Sequence, residues 1–169
     1  LGTMYYYNGD VYEGNWKDDQ RNGKGTYTYK NGAYYKGEWV DNQKNGKGVF
    51  DWNDGSRYEG NWVNNQRNGR GTYTYADGDS YTGEWKNDML DGRGIYRFRN
   101  GDVYEGQYVM GERTGEGTFR FANGDSYVGQ FLHGAQSGHG TFQWKGVATY
   151  TGQWKNNMMH GRGVYKWKN

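Results

Sequence analysis

The chain has 169 residues, with 31 glycines, no proline, no cysteine and a formal net charge of +2. Without cysteine it has neither a disulfide framework nor a thiolate metal site, and the balanced charge does not by itself indicate a nucleic-acid partner. Aromatic residues make up 19% of the chain and aliphatic residues are scarce, so the apolar core must be built mainly from rings.

A repeat of 23 residues organises the whole sequence. The motif Tyr-x-Gly-x-aromatic recurs at this spacing without insertion, and the first residues match the second half of a unit. We therefore predict a single repeat array over 1–169. Its segments are the half-repeat 1–11 and the repeats 12–34, 35–57, 58–80, 81–103, 104–126, 127–149 and 150–169.

Each repeat predicts two short strands in chain order. In the first repeat, residues 12–16 and 25–29 alternate rings or glycines with polar or β-branched side chains, and this period of two is typical of β-strands. A three-residue turn at 31–33, containing Asn-Gly, is expected after the second strand. A four-residue loop at 19–22 is expected between the two strands. The chain is then a meander of about fifteen strands, counting two per repeat.

The register follows from requiring all rings to share one face. Residues opposite each other in an antiparallel pair lie on the same face, so Tyr29 is expected opposite Tyr35, and Trp39 opposite Gly25. The other expected pairs are Tyr27 with Gly37, Tyr12 with Tyr29, Gly14 with Tyr27 and Trp16 with Gly25. This pairing predicts one continuous row of rings and two rows in which rings alternate with glycines. Glycine then provides the space that a neighbouring ring fills.

No arrangement of catalytic residues is apparent in the sequence. His133, His139 and His160 are single-copy substitutions at loop or rim positions, and we interpret them as solvated side chains. The recurring Gly-x-Gly pairs lack the strand-to-helix context of a phosphate loop. Acidic pairs such as Asp77 and Asp79 lie at turns and lack the ligand series of a calcium loop. We expect no enzymatic activity, no cofactor and no metal.

The repeat resembles the MORN repeat. The stretches "YEGNWKDDQRNGKGTYTYKNGAY" (12–34) and "YEGNWVNNQRNGRGTYTYADGDS" (58–80) follow that pattern nearly throughout. The resemblance implies an all-β fold, an elongated, twisted single-layer antiparallel β-meander curved like a trough. It also implies a non-catalytic interaction module of cytoskeletal, ciliary or membrane-associated assemblies.

Two departures from the family pattern bear on the turns. Asn or Asp stands at five positions where the family often has glycine, and both tolerate a left-handed backbone, so we expect these turns to survive. The five positions are Asp19, Asn42, Asn65, Asp88 and Asn157. The sixth repeat reads "WKGVATY", and its second turn is expected to be irregular.

The aromatic face has two interpretations. The rings can form a thin core by packing on each other, or the concave side can also hold a partner's helix or extended segment. We expect both. The partner-binding residues expected on this face are Tyr35, Trp39, Tyr58, Trp62, Tyr73, Tyr75, Tyr81, Trp85, Tyr96, Phe98 and Tyr104. Nucleic acid is not expected there, because no basic surface is predicted on the same face.

A basic column on the opposite face has two interpretations as well. It consists of Lys24, Lys47, Arg70, Arg93 and Arg162. The column can be a solubilising surface, partly paired with neighbouring glutamates, or it can contact anionic lipid or another acidic surface. The alternative function is therefore an anionic phospholipid-binding module that adjoins a lipid kinase or another catalytic domain outside this segment.

Apolar residues replace polar ones in two of the longer loops. Met89, Leu90, Met158 and Met159 are expected there, either as contact points for a partner or packed on the chain's own edge. Unpaired terminal strands favour self-association. No signal peptide and no long apolar run are found, so an intracellular, cytoplasmic protein is expected, at the cytoskeleton, the cilium or the membrane periphery.

Overall fold

The structure is a computed structural model that describes residues 1–169. It is all-β, and its 15 strands form an antiparallel meander in chain order, which confirms the predicted fold class. No helix has the length and apolarity that a membrane span requires. The chain divides into two compact units, Leu1–Met89 and Leu90–Asn169, and each is described by itself.

The first unit contains eight complete strands. They are β1 (Gly2–Tyr5), β2 (Val11–Lys17), β3 (Gln20–Thr28), β4 (Tyr34–Val40), β5 (Gln43–Asp51), β6 (Arg57–Val63), β7 (Gln66–Thr74) and β8 (Ser80–Lys86). Consecutive strands from β1 to β8 pair antiparallel, and a repeat contributes one strand of seven residues and one of nine.

The second unit continues the same alternation. Its strands are β9 (Met89–Arg97, whose first residue belongs to the first unit), β10 (Val103–Val109), β11 (Glu112–Arg120), β12 (Ser126–Leu132), β13 (Ala135–Trp144), β14 (Ala148–Lys155) and β15 (Met158–Trp167). Consecutive strands from β9 to β15 pair antiparallel.

The hairpin between β3 and β4 begins one residue earlier than predicted. The Gly32 N–H donates to Tyr29 O at 2.9 Å, and the Tyr29 N–H donates to Ala33 O at 2.8 Å, so the loop residues are 30–32 and not 31–33. Gly32 has φ of +91° and occupies the third loop position, where a type I turn with a glycine bulge needs a left-handed residue. The predicted loop length is therefore right and its position is wrong.

This shift moves the strand register by two residues and leaves every side chain on its predicted face. Tyr27 pairs with Tyr35, and Gly25 pairs with Gly37. The predicted pairs Tyr29–Tyr35, Tyr27–Gly37 and Gly25–Trp39 are wrong.

The longer connection is a two-residue turn and not the predicted loop at 19–22. Asp18 and Asp19 have φ of 51° and 62°, and the flanking residues Lys17 and Gln20 are already paired. Two left-handed residues in succession form the turn that best matches the twist of a hairpin. The predicted pairs Tyr12–Tyr29, Gly14–Tyr27 and Trp16–Gly25 are consequently wrong; the observed pairs are Tyr12–Tyr27, Gly14–Gly25 and Trp16–Arg21.

A bulge connects this short turn to the regular pairing of β2 with β3. Between the pairs Gly14–Gly25 and Trp16–Arg21, β2 has one residue and β3 has three. Gly23 lies in this bulge with φ of +87°, and the glycine at the same position of each repeat has a positive φ as well. Backbone conformation therefore explains this glycine column.

The observed rows differ from the predicted alternation. The first tyrosine and the third aromatic residue of each repeat form a continuous row of rings, as in Tyr12–Tyr27–Tyr35–Phe50. Beside it runs a continuous row of glycines: Gly14, Gly25, Gly37, Gly48, Gly60, Gly71 and Gly83 in the first unit. Rings alternate with glycines only in part, where Trp39 faces Gly23.

The irregular turn expected in the sixth repeat is present. The hairpin between β13 and β14 keeps three loop residues, 145–147, and the Val147 N–H donates to Trp144 O at 2.9 Å. Its left-handed glycine is Gly146, with φ of +71°, so the glycine has moved from the third loop position to the second.

Candidate functional site

The first tyrosine of each repeat is a core residue. Tyr12, Tyr35, Tyr58, Tyr81, Tyr104 and Tyr127 each have 0% exposure. The Tyr58 hydroxyl donates to Asn61 O at 2.9 Å, and the corresponding tyrosines make the same bond three residues along the chain. Each ring covers glycine backbone in the adjacent row, because a Cβ added at Gly71 would overlap the Tyr58 phenol. These six tyrosines, which we call the tyrosine row, stabilise the sheet and offer no surface to a partner.

The tryptophans are buried across the glycine row. Trp39, Trp62 and Trp85 are 3–4% exposed. The Trp62 Nε1–H donates to Gly48 O at 3.1 Å, a carbonyl in the preceding repeat, and Trp39 and Trp85 make the equivalent bonds. Trp62 also meets two tyrosines edge-on: its ring centroid is 5.2 Å from that of Tyr58 and 5.4 Å from that of Tyr35. These contacts link successive repeats.

A column of cations lies on the aromatic face, which the sequence analysis missed. The Arg67 guanidinium carbon is 4.9 Å from the Trp85 ring centroid and 5.2 Å from that of Tyr73. Arg21, Lys44 and Arg113 lie over rings in the same way. Burial lowers the pKa of the Lys44 ammonium. These cations lie within the ring packing, so they are structural.

These residues escaped notice because the stretch after the first strand was assigned to a loop. A signal was available: the column holds Arg21, Lys44, Arg67, Leu90, Arg113, Gln136 and Met159, all of them long side chains. Such side chains can cover apolar surface with their stems.

The second residue of each two-residue turn docks on the preceding repeat. The Asn65 N–H donates to Lys44 O at 2.9 Å, and the Lys44 N–H donates to the Asn65 side-chain oxygen at 2.8 Å. Asn65 has φ of 70°, and its equivalents Asp19, Asn42, Asp88 and Asn157 lie between 62° and 68°, which confirms that these turns keep the left-handed geometry. Gly111 and Gly134 have no side chain to bond and donate only their N–H, to Leu90 O and Arg113 O, and Gly134 O also accepts from the Arg113 guanidinium at 2.8 Å.

Asn65→Gly is therefore expected to destabilise the protein by about 0.5 kcal/mol, since it removes an exposed hydrogen bond but suits the left-handed backbone. Asn65→Ala is expected to destabilise the protein by about 1.5 kcal/mol, because alanine lacks the side-chain hydrogen bond and is also strained in the left-handed backbone. Urea denaturation of both variants measures the difference. Equal losses would show that the side-chain bond and the backbone conformation are not separate contributions.

A second set of rings, half-buried except for the buried Phe50, forms what we call the aromatic ladder. In the first unit it consists of Tyr27, Tyr29, Phe50, Trp52, Tyr73 and Tyr75. Successive ring centroids along this series are separated by 4.8, 5.7, 4.4, 5.2 and 4.5 Å. Phe50 is the most buried of these rings, at 9% exposure. Burial raises the pKa of Tyr75 to about 12.

The second unit carries its own aromatic ladder. It consists of Tyr96, Phe98, Phe119, Phe121, Phe142 and Trp144, followed by the exposed Tyr165 and Trp167. The Phe98–Phe119 and Phe121–Phe142 centroid distances are 5.6 and 5.7 Å, close to those of the first unit. A groove of about 350 Å³ adjoins these rings beside Arg113.

The eleven residues expected to bind a partner separate into two groups. Seven lie in the core with 0–4% exposure: Tyr35, Trp39, Tyr58, Trp62, Tyr81, Trp85 and Tyr104. They have almost no surface with which to bind a partner. The other four, Tyr73, Tyr75, Tyr96 and Phe98, belong to the ladders. Sequence reasoning missed the remaining ladder rings, although their position next to the hairpin turns was a signal for exposure.

The basic column lies on the face opposite the rings, as predicted, and its members are exposed. Arg93 is 3.7 Å from Glu105, the salt bridge expected from the sequence. Lys24, Lys47 and Arg70 form no salt bridge in the structure. Two adjoining grooves of about 980 and 520 Å³ open on this face of the first unit.

The apolar residues expected at loop tips lie in strands. Met89 and Leu90 begin β9, and Met158 and Met159 begin β15, because the turn before each strand has only two residues. Leu90 is half-buried, and the other three are 38–66% exposed.

The histidines are exposed, and nothing places them in a catalytic arrangement. His133 Nδ1 lies 3.4 Å from Glu112 on the surface, while His139 and His160 lie in β13 and β15. No group of three or more His, Cys, Asp or Glu side chains is arranged to hold a metal ion.

Comparisons with known proteins place the chain in a family. No curated protein matches it. A solved structure, the SAS-4 TCP domain of Drosophila melanogaster in complex with a proline-rich motif of Ana2, is 16% identical with a TM-score of 0.49, covering 99% of this chain and 90% of that one. This likeness is too distant to bear on partners or role.

The MORN repeat model matches seven consecutive segments of the chain. They are 12–34, 35–57, 58–80, 81–103, 104–126, 127–146 and 150–169. The sixth match ends at Gly146, the glycine that has moved within its turn. The matches cover nearly the whole chain, and the protein therefore belongs to the MORN repeat family.

Proposed function

We propose that the protein is a non-catalytic binding module that holds a segment of a protein partner on its aromatic ladders. The observation that carries this proposal is the unbroken series of ladder rings, spaced 4.4–5.7 Å apart in the first unit and all half-buried except Phe50. Tyrosine and tryptophan are the residues that dominate binding energy at protein interfaces. The rows beneath hold the ladder rings in place, so binding does not have to order them.

The ladders replace the wider aromatic face as the expected contact surface. The tyrosine row and the tryptophans are covered by each other and by Arg21, Lys44 and Arg67. The same cations also lie over the ladder rings Tyr27, Phe50 and Tyr73. A helix or an extended segment can reach the ladder rings only from the side left open above them. Its apolar side chains would pack between successive rings, two rings per repeat.

The cellular setting belongs to the same proposal and rests on the family. Membership of the MORN repeat family supports an intracellular role at the cytoskeleton, the cilium or the membrane periphery. Self-association through the terminal strands β1 and β15 is a further use of the array. An anionic membrane is the second candidate ligand, favoured by the exposed and unpaired Lys24, Lys47 and Arg70.

Trp52→Ala combined with Tyr75→Ala is expected to weaken partner binding at least about tenfold, because truncating a half-buried anchor ring typically removes 1–2 kcal/mol. Peptides selected from a random display library on the immobilised protein serve as the probe, and their affinity is measured by calorimetry. Val63→Ala combined with Val128→Ala removes exposed apolar surface elsewhere and is the matched control. Melting curves check that each variant folds.

The ladder proposal is overturned if no peptide is selected, or if selected peptides bind the ladder variant and the control variant equally. It is supported if the control variant keeps its affinity and the ladder variant does not.

A further inference from the structure

The polar face of the first unit contains a groove with a glycine floor. Two adjoining depressions, of about 980 and 520 Å³, share Lys47 and Val49 and together follow the sheet from β2 to β8. We call this the polar groove. Its floor is Gly14, Gly25, Gly37, Gly48, Gly60 and Gly71, the backbone of the glycine row seen from the side opposite the tyrosines.

One wall of the polar groove presents cations at a regular spacing. Lys24, Lys47 and Arg70 lie on β3, β5 and β7, so they occupy every second strand. Two strand spacings separate each cation from the next by about 10 Å. None of the three forms a salt bridge. The wall therefore offers three evenly spaced positive charges that the protein itself leaves unpaired.

Two acids lie opposite cations of this series in the register, Glu38 opposite Lys24 and Glu84 opposite Arg70, and neither forms a salt bridge with that cation. The Glu38 carboxylate instead accepts a hydrogen bond from the backbone N–H of Lys47. Lys47 itself pairs with Asn61, which is uncharged. Glu13 and Glu59 belong to the opposite wall, together with Thr26, Thr72 and the cation Lys36.

The width and the charge spacing of the groove select the conformation of its occupant. The walls are formed by side chains two residues apart on a strand, such as Lys24 and Thr26, so they are separated by about 7 Å. An α-helix with its side chains is about 10–12 Å wide and does not enter. A polyproline II chain has three residues per turn and returns to the same side every ~9 Å, which matches the cations. A β-strand returns to the same side after about 7 Å and does not match.

We propose that the polar groove binds an extended polyproline II segment of a partner polypeptide that carries an acidic residue at every third position. Each carboxylate meets one cation of the series, and the intervening residues pass the other side chains that line the groove, which include the cations Lys36 and Arg57. A flat anionic membrane fits less well, because the cations line a concave surface and Glu13, Glu38 and Glu59 share it.

The second unit lacks the same series. At the corresponding positions it has Glu116 and His139 between Arg93 and Arg162, so like charges do not recur on every second strand. The proposed site is therefore confined to the first unit, and the second unit supplies control residues for its test.

The probe is the peptide (Glu-Pro-Pro)4, compared by calorimetry at low salt with a peptide of the same composition whose four glutamates are consecutive. We expect the periodic peptide to bind at least about tenfold more tightly, and Lys47→Gln with Arg70→Gln to remove about tenfold in affinity. Arg120→Gln in the second unit is the matched control and is expected to change nothing. All of these side chains are exposed, so the variants are expected to fold.

Equal affinity for the two peptides, or no binding of either, overturns the proposal. Pelleting of phosphatidylserine vesicles that is lost in the Lys47→Gln, Arg70→Gln variant, without binding of the periodic peptide, overturns it in favour of a membrane. The Trp52→Ala, Tyr75→Ala variant is expected to bind the periodic peptide normally, so this test can fail or succeed independently of the aromatic ladders.

Discussion

Gly60→Ala and Gly71→Ala are each expected to destabilise the protein by more than about 3 kcal/mol, whereas Gly111→Ala is expected to lose only about 1 kcal/mol. A Cβ at Gly60 would lie 2.6 Å from the Arg70 carbonyl oxygen and would overlap the Gly71 Cα. A Cβ at Gly71 would lie 2.6 Å from Tyr58 Cε1 and would overlap the phenol. Neither glycine has a positive φ, so the effect is steric.

Gly111 is the matched control for the conformational contribution of glycine. Its φ is +86°, and nothing lies within 4 Å of an added Cβ. Urea denaturation followed by circular dichroism measures all three variants. A loss at Gly71→Ala no larger than that at Gly111→Ala would mean that the tyrosine ring moves aside without penalty, and the account of the glycine row would be wrong.

Gly60 and Gly71 differ in the atoms that an added methyl group would meet. At Gly71 the added methyl meets a side chain, so Tyr58→Leu should recover part of the stability lost in Gly71→Ala. At Gly60 it meets backbone of β7, so the same substitution should recover little in Gly60→Ala. A double-mutant cycle for each pair therefore separates ring packing from strand separation.

The faces of the strands could be predicted from the sequence because the side-chain period of a strand is fixed at two. Rings at Tyr12, Tyr27 and Tyr35 had to share one face whatever the turn, and they do. The register could not be predicted from the faces alone. Shifting the three-residue loop by one position changes which residues pair but leaves every side chain on the same face. The left-handed conformation that Gly32 supplies at the third loop position would have decided between the two registers.

The corrected register also explains why the glycines form a continuous row. With the predicted register, Trp39 covered Gly25 directly; in the structure, Gly25 faces Gly37 and lies beneath the Tyr12 phenol. The prediction that glycine leaves space for a ring is confirmed, because a ring fills the space above the glycines of the row. The ring comes from the tyrosine column and not from the directly opposed residue.

Burial within the aromatic face could not be predicted from the column of a residue. Trp62 and Trp52 are both tryptophans on the same face, yet Trp62 is 4% exposed and Trp52 is half-buried. A cation lies near both rings, Lys44 at 5.5 Å from the Trp62 centroid and Arg67 at 5.8 Å from the Trp52 centroid, but only Trp62 is also enclosed edge-on by Tyr35 and Tyr58. Lys44 reaches the rings only because the connection before it is a two-residue turn. The polar composition of this stretch favoured a longer loop in the sequence-based prediction.

The buried tyrosine row is expected to make the protein unfold in alkali between about pH 10 and pH 12. Burial raises the pKa of Tyr58, Tyr104 and Tyr127 to about 12 each. It also raises the pKa of Tyr12, Tyr35 and Tyr81. Each hydroxyl donates to a backbone carbonyl, as Tyr104 does to Gln107 O at 2.9 Å, and ionisation abolishes that bond.

The sign of the effect follows from proton binding. Above about pH 10 the unfolded chain releases phenol protons that the folded chain still holds, so stability falls as pH rises. The contribution of the row is fully present below about pH 10 and is lost as pH passes through the folded pKa values. Because six rings in one sheet share this behaviour, the loss is expected to be steep.

Phenolate absorbance and circular dichroism, recorded together against pH, test this expectation. The row should ionise above about pH 10, in step with loss of the dichroism signal, and in concentrated urea the same tyrosines should ionise near pH 10.

Tyr58→Phe is the matched variant, because it keeps the ring and removes one hydroxyl. At neutral pH it is expected to lose about 1 kcal/mol, since Asn61 O loses its donor. The slope of its free energy of unfolding against pH in alkali should correspond to one proton fewer, because one fewer phenol differs in pKa between the folded and unfolded states. If every tyrosine ionises near pH 10 while the β-structure persists, the phenols are accessible to water, and the row is not the core on which the aromatic ladders rest.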